Sequence, residues 1–452
     1  MIEDARLPHT PVTLAEWTYD TLAKGQLTSS TRFAGGLPYV SAVTGYDDGY
    51  RPLGTTVSIP VAPANGAVAG TYTESVTYRP DGSLATETLP AVGGLPAETI
   101  THTYTDAGQL SSTAGLALYV AGTTYRWDGT VAEVPHGAAG SQMRRSFSYE
   151  EATGRTRAEQ VDAETSPGVF TSRYTTEYGY DHAGNVRAVA GKTDGARDQV
   201  ECFRYDHLRR LVEAWTAATW ECSAGPQRTG ADPYHRTWTF DAVGNRLTQT
   251  DHDPAGDTTW TYQVGTANGV SPHQVARISA AGPKAGPVQA FGYDAAGNTT
   301  QQTAADGTAR TMVWDVEGQL ASVTAGGQTS SYVYDADGGR LVTREPTGVT
   351  VHLATTEVRQ PAGGGVTAIR YYHDVAVRTA AGLYWTNSDR NGTPVVQTDA
   401  QTLESDRRLP RWPAPQVRRF DGLPQRQGGP VVGFLGSVAQ GLLDAGTPGR
   451  GR

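Results

Sequence analysis

One short pattern limits what this chain can fold into: an aromatic residue, Asp, a Gly three positions further on, and then an aliphatic residue. Its clearest copies are YDHAGNV (Tyr180 to Val186), FDAVGNRL (Phe240 to Leu247), YDAAGNT (Tyr293 to Thr299), WDVEGQL (Trp314 to Leu320) and YDADGGRL (Tyr334 to Leu341). Weaker copies begin at Tyr19, Tyr46, Tyr78, Tyr104, Tyr125, Tyr149 and Tyr205, which makes twelve in all. Successive aromatic residues lie 20 to 35 residues apart, except for a gap of 53 between Phe240 and Tyr293. Each ordinary interval holds two strands of about 6 residues with their turns, so one copy marks one hairpin.

The chemistry of the pattern is that of a tight turn. The aromatic residue closes an incoming strand, and Asp accepts hydrogen bonds from backbone N–H groups within the turn. Gly supplies positive φ, and the aliphatic residue opens the outgoing strand. The turn positions that matter are therefore Tyr180, Asp181 and Gly184; Phe240, Asp241 and Gly244; Tyr293, Asp294 and Gly297; Trp314, Asp315 and Gly318; and Tyr334, Asp335 and Gly338. Between turns the residues alternate as strands do: in TYTESVTY, Tyr72, Glu74, Val76 and Tyr78 share one face and the intervening Thr and Ser the other. With 54 Gly, 22 Tyr, only 8 Phe and 3 Met, the chain reads as all-β: an array of hairpins laid side by side in one curved sheet. A β-propeller of six two-turn blades is the alternative, although irregular intervals suit an open array better than a ring of equal blades.

These residues resemble the YD-repeat or Rhs (RHS repeat) proteins, whose repeats are similar to the YD shell of teneurins. The resemblance runs from Tyr19 to Thr393 and includes IRYYHDVAVRT (Ile369 to Thr379) and LYWTNSDRNGT (Leu383 to Thr393). It implies a short lead-in over 1–18, the repeat array over 19–345, and over 346–408 a segment like the start of the family's core. It also implies part of a hollow shell from a bacterial polymorphic toxin, secreted or at the cell surface, whose partner is a C-terminal toxin or effector cargo. The family's DPxGR-type self-cleavage signature is not reproduced after Thr393, so neither the protease nor a cargo carries over to this chain. The Pro-, Arg- and Gly-rich stretch 409–452 reads as a disordered or frame-shifted tail, and the whole as a truncated copy.

Other chemistries find less support. A net charge of −9 argues against a general nucleic-acid binder. No apolar run reaches the roughly 18 residues needed to cross a bilayer, and MIEDARLPHT is no export signal. The acidic turns supply too few converging oxygens for calcium, there is no HExxH or GxSxG, and neighbouring carboxylates such as Glu150 and Glu151 point to opposite faces of a strand. We expect no enzyme, no cofactor and no metal site. The rival function is adhesion to surface glycans through Trp215 with Trp220, or Trp260 with Tyr262, although such aromatic residues also stabilise a sheet by packing. Cys202 and Cys222 either form one bridge, adding about 3 kcal/mol in an oxidising compartment, or are two small buried side chains.

Overall fold

The computed structural model describes residues 2–4, 12–230, 232–372, 375–388 and 394–406; the 409–452 tail lies outside them. The described residues form antiparallel strands laid down in strict chain order. Ten strands, from Ile2–Asp4 to Leu118–Val120, make one sheet, and twenty-five, from Thr124–Tyr125 to Ser405–Asp406, make the next. Backbone bonds from Ala121 to the Pro135 carbonyl (2.8 Å) and from Gly137 to the Leu118 carbonyl (2.9 Å) tie the two together, so the ribbon is nearly unbroken. A propeller would show separate blades. This chain is an all-β array of hairpins in a curved sheet.

The curvature has a local origin. At nearly every repeat the pairing register slips next to the aromatic residue, between Thr77 and Tyr78, Gly179 and Tyr180, or Val333 and Tyr334, for example. Such bulges bend and twist the strand that carries them, and repeating them along one edge bends the whole ribbon. The 53-residue gap contains a thirteenth turn. Val264 stands in the aromatic position at a register slip opposite Val275, and a short 3-10 segment, Thr266–Asn268, fills the longer loop between them. Beyond residue 345 the strands continue without a break, through Gly348–His352 and Gly382–Ser388, in the same meander.

The ribbon returns on itself. Hairpin ends and loops of the first strands, the ends away from the aromatic turns, lie on the strands near the end of the chain. One buried cluster joins Tyr39, Ile59 and Val68 to Val333, Val342, Val351 and Val358. A second joins Leu89, Ile100, Tyr119, Met143 and Val161 to Tyr372 and Trp385. Away from these contacts, the Thr face of the early strands is lined by cross-strand hydroxyl pairs such as Thr77 with Thr86 (2.7 Å) and Thr103 with Ser112 (2.7 Å).

Candidate functional site

In the five clearest copies the turn aspartate accepts hydrogen bonds from within its own turn. Asp294 Oδ1 accepts the backbone N–H groups of Ala296 (3.0 Å) and Asn298 (2.9 Å), and Oδ2 accepts the Asn298 side-chain amide (3.0 Å). Asp181 is held the same way by Asn185, and Asp241 by Val243 and Asn245. Asp315 accepts from Glu317 and Gln319, and Asp335 from Asp337 and Gly339. The Asn298 side chain and backbone hold Asp294 below the usual carboxylate range. Asp335 goes the other way: it has Gly339 where the other turns have Asn or Gln, and burial raises it. Gly184, Gly244, Gly297, Gly318 and Gly338 all have φ between 77° and 94°. In YDADGGRL the outgoing strand opens at Arg340, not Leu341, so this turn has the same length as YDHAGNV.

The aromatic residue does more than pack. Its polar atom donates to a backbone carbonyl where the neighbouring hairpin leaves its own turn: Tyr180 to Thr156 (2.7 Å), Tyr293 to Val275 (2.8 Å), Trp314 Nε1 to Thr299 (2.7 Å) and Tyr334 to Leu320 (2.9 Å). The weaker copies do the same, from Tyr46 to Leu27 through Tyr205 to Val186. Phe240 has no polar atom to give, and the Arg210 guanidinium stacks on its ring at 5.0 Å. Arg51 over Tyr78 and Arg79 over Tyr104 continue this ladder from one turn to the next. Sequence reasoning missed both links; for the second, the signal was an Arg in five of the weaker turns (Arg51, Arg79, Arg126, Arg155 and Arg210), each one repeat before the aromatic residue it covers.

Residues with no sequence signal meet where the ribbon closes. Arg370 is fully buried, and it reaches across the closure to the carbonyls of Pro90 (2.7 Å) and Pro96 (3.1 Å) and to Glu98 (3.3 Å). Glu98 also accepts from Tyr372 (2.6 Å), Tyr119 and the Leu116 N–H (2.8 Å). The rings of Tyr119 and Tyr372 stack at 4.0 Å, and Arg378 donates to both hydroxyls. Burial works against the charge on Glu98, but these donors outweigh it and lower its pKa. Burial, helped by the Glu98 carboxylate, raises Tyr119. Further along, Arg344 donates to Tyr39 (2.7 Å) and Asn65 (2.7 Å), Arg32 pairs with Asp315 (3.1 Å) and Glu317, and Trp17 donates to Asp337 (3.2 Å). The arrangement is a polar lock between strands far apart in the chain.

Cys202 and Cys222 are joined by a disulfide, with Cα atoms 5.8 Å apart. Trp215 is buried against this bridge, and Trp220 lies over Gly179 beside a cavity of about 870 Å³. Trp260 and Tyr262 are half-buried on one strand, and Arg246 stacks on Tyr262.

No protein-family model matches the sequence, and no curated protein aligns with it. Solved structures do match. A TcdB2–TccC3 crystal structure superposes at a TM-score of 0.65 with 17% identity, covering 86% of this chain and 21% of that one. The fold is that of an Rhs-type YD shell. The Tc holotoxin pore of Photorhabdus luminescens matches at 0.64 with 16% identity, again over 86% and 21%, and a TcdB2–TccC3–Cdc42 structure at 0.61 with 16%, over 85% and 22%. The chain thus spans about a fifth of the length of these neighbours. At such identities the likeness is one of fold.

Proposed function

We propose that this chain is a segment of the wall of an Rhs-type bacterial toxin, which secludes a C-terminal effector polypeptide from the producing cell until delivery. The observation that carries the reading is the closure: a ribbon in strict chain order that curves back and locks its first strands to its last through Glu98 and Arg370. A container needs stiffness and closure more than reactive groups. The turn ladder supplies the first, and the buried lock the second. In this role the chain catalyses no reaction, and its partner is the cargo. The disulfide suits an oxidising, extracellular setting. Among the described residues no helix is long and apolar enough to cross a membrane. Burial of Trp215 under the bridge supports packing over glycan stacking for that residue.

Limited proteolysis of the full-length parent protein tests the reading. Segments downstream of the repeats should resist a broad-specificity protease as long as the repeats are folded. Digestion of those segments at the rate of an unfolded peptide, with the repeats intact, would sink it.

A further inference from the structure

The loop that follows strand Leu211–Ala217 is tied back to the neighbouring strand by the Cys202–Cys222 bridge. It lies over the sheet, seats Trp220 on Gly179 and covers Ala190, Val200 and Trp215. A Cβ on Gly179 would come within 2.9 Å of the Trp220 ring, so the glycine makes the seat. The cover is held at a conformational cost. Cys222 and Arg228 stand at φ 58° and 51°, which residues with a Cβ adopt only under strain, and the buried Trp215 indole N–H has no hydrogen-bond partner. The loop's ties towards solvent are Arg187 to the Glu221 carbonyl (2.8 Å), the Ala218 N–H to Gln227 (2.7 Å), the Asp232 N–H to Gln199 (2.8 Å) and Arg228 to Asp253 (3.4 Å), while the N–H groups of Gln227 and Arg228 hold it to the carbonyl of the buried Thr216 (3.2 and 3.1 Å).

We propose that the Cys202–Cys222 bridge is a thiol-operated latch: its reduction releases this loop as a flap, uncovering Trp215 and opening the cavity beside Trp220 while the ribbon stays folded. Cys222 is the half-exposed partner and Cys202 is fully buried, so a dithiol reductant attacks the Cys222 sulfur. The S–S bond breaks, and Cys202 leaves as a thiolate and takes up a proton. The reductant's second thiol then displaces Cys222 as a thiol and leaves as a disulfide, which balances the two electrons. The latch does not depend on the containment reading, since it concerns one loop and one bridge.

Dithiothreitol treatment of the folded protein, followed by iodoacetamide, tests it. Both cysteines should become alkylated, tryptic cleavage after Arg228 should rise at least about tenfold, and tryptophan emission should shift to the red, with the β-sheet circular dichroism unchanged. Cys222→Ser should behave in the same way without reductant. Gly179→Ala, with the bridge intact, should shift the emission with little gain in cleavage. The latch is overturned if neither thiol can be labelled short of unfolding, if labelling leaves cleavage and emission as they were, or if the sheet signal is lost together with the bridge.

Discussion

Arg209 stands at φ 61° in the turn YDHLRRL, the position that Gly297 fills at φ 90° in YDAAGNT. The turn geometry is therefore imposed by the fold, and glycine is the residue that meets it without strain. Two substitutions measure this from opposite sides. Arg209 is exposed and hydrogen-bonds to nothing through its side chain among the contacts described, so Arg209→Gly should raise the stability by about 0.5–1 kcal/mol, read from the urea midpoint. Gly297→Val should lower it by at least about 1 kcal/mol, and an unchanged midpoint would show that this φ carries no strain. The aromatic position allows a third test. Tyr293→Phe keeps the ring and removes the donor to the Val275 carbonyl, a loss of about 1 kcal/mol if the bond contributes as an ordinary one does. Phe240 shows that the ring alone is tolerated in a turn.

Hairpins are the units in which the sequence was legible, because everything that defines a turn lies within a few residues: the acceptor, its donors and the positive φ. Where the local code was weak, sequence reasoning failed. Val264 in place of an aromatic residue and a loop lengthened to Val275 hid a complete turn inside the 53-residue gap. In YDDGYRPL it is Tyr50, not Gly49, that takes the positive φ, because the geometry counts from Asp47. The same local code sets the response to acid. Hydrogen bonds from the Asn298 side chain and backbone lower Asp294, those from the Arg51 side chain and backbone lower Asp47, and those from Ser83 lower Asp81. A carboxyl lowered in the folded state stabilises fully above its unfolded pKa of about 3.9, and this contribution is lost as pH falls through the lower, folded value. The urea midpoint should thus hold above pH of about 5 and fall steadily below about 4. Asp294→Asn should start from a lower midpoint and lose less of it on acidification. An equal loss in both proteins would mean that this turn does not sense the acid.

Closure of the ribbon is a property of the whole molecule, and nothing in the sequence announced it. Glu98 and Arg370 lie 272 residues apart, each in a strand that reads like its neighbours, and a period of one hairpin carries no information about which distant hairpins meet. Only the curvature accumulated through the intervening bulges brings them together. What the lock contributes follows from burial. Arg370 has no exposed surface, and its ion-pair partner is Glu98, so removing that carboxylate leaves a buried cation hydrogen-bonded to carbonyls, with Glu74 as a remaining charge that acts on it without a hydrogen bond. Breaking such a pair costs about 3–5 kcal/mol, whereas replacing both partners by apolar groups is often close to neutral. Glu98→Ala should therefore destabilise the protein by an amount in that range and make the loops at Pro90 and Pro96 sensitive to protease before the remote hairpins. Glu98→Leu with Arg370→Met should recover most of the loss. The order of cleavage decides whether the lock closes the ribbon or is one contact among many. If the remote hairpins and the closure are cut together in Glu98→Ala, the ribbon unfolds as one unit and the lock has no separate role in closing it. If the closure is cut first, the first and last strands can part while the rest of the ribbon stands, as the container proposed above would need in order to release a cargo.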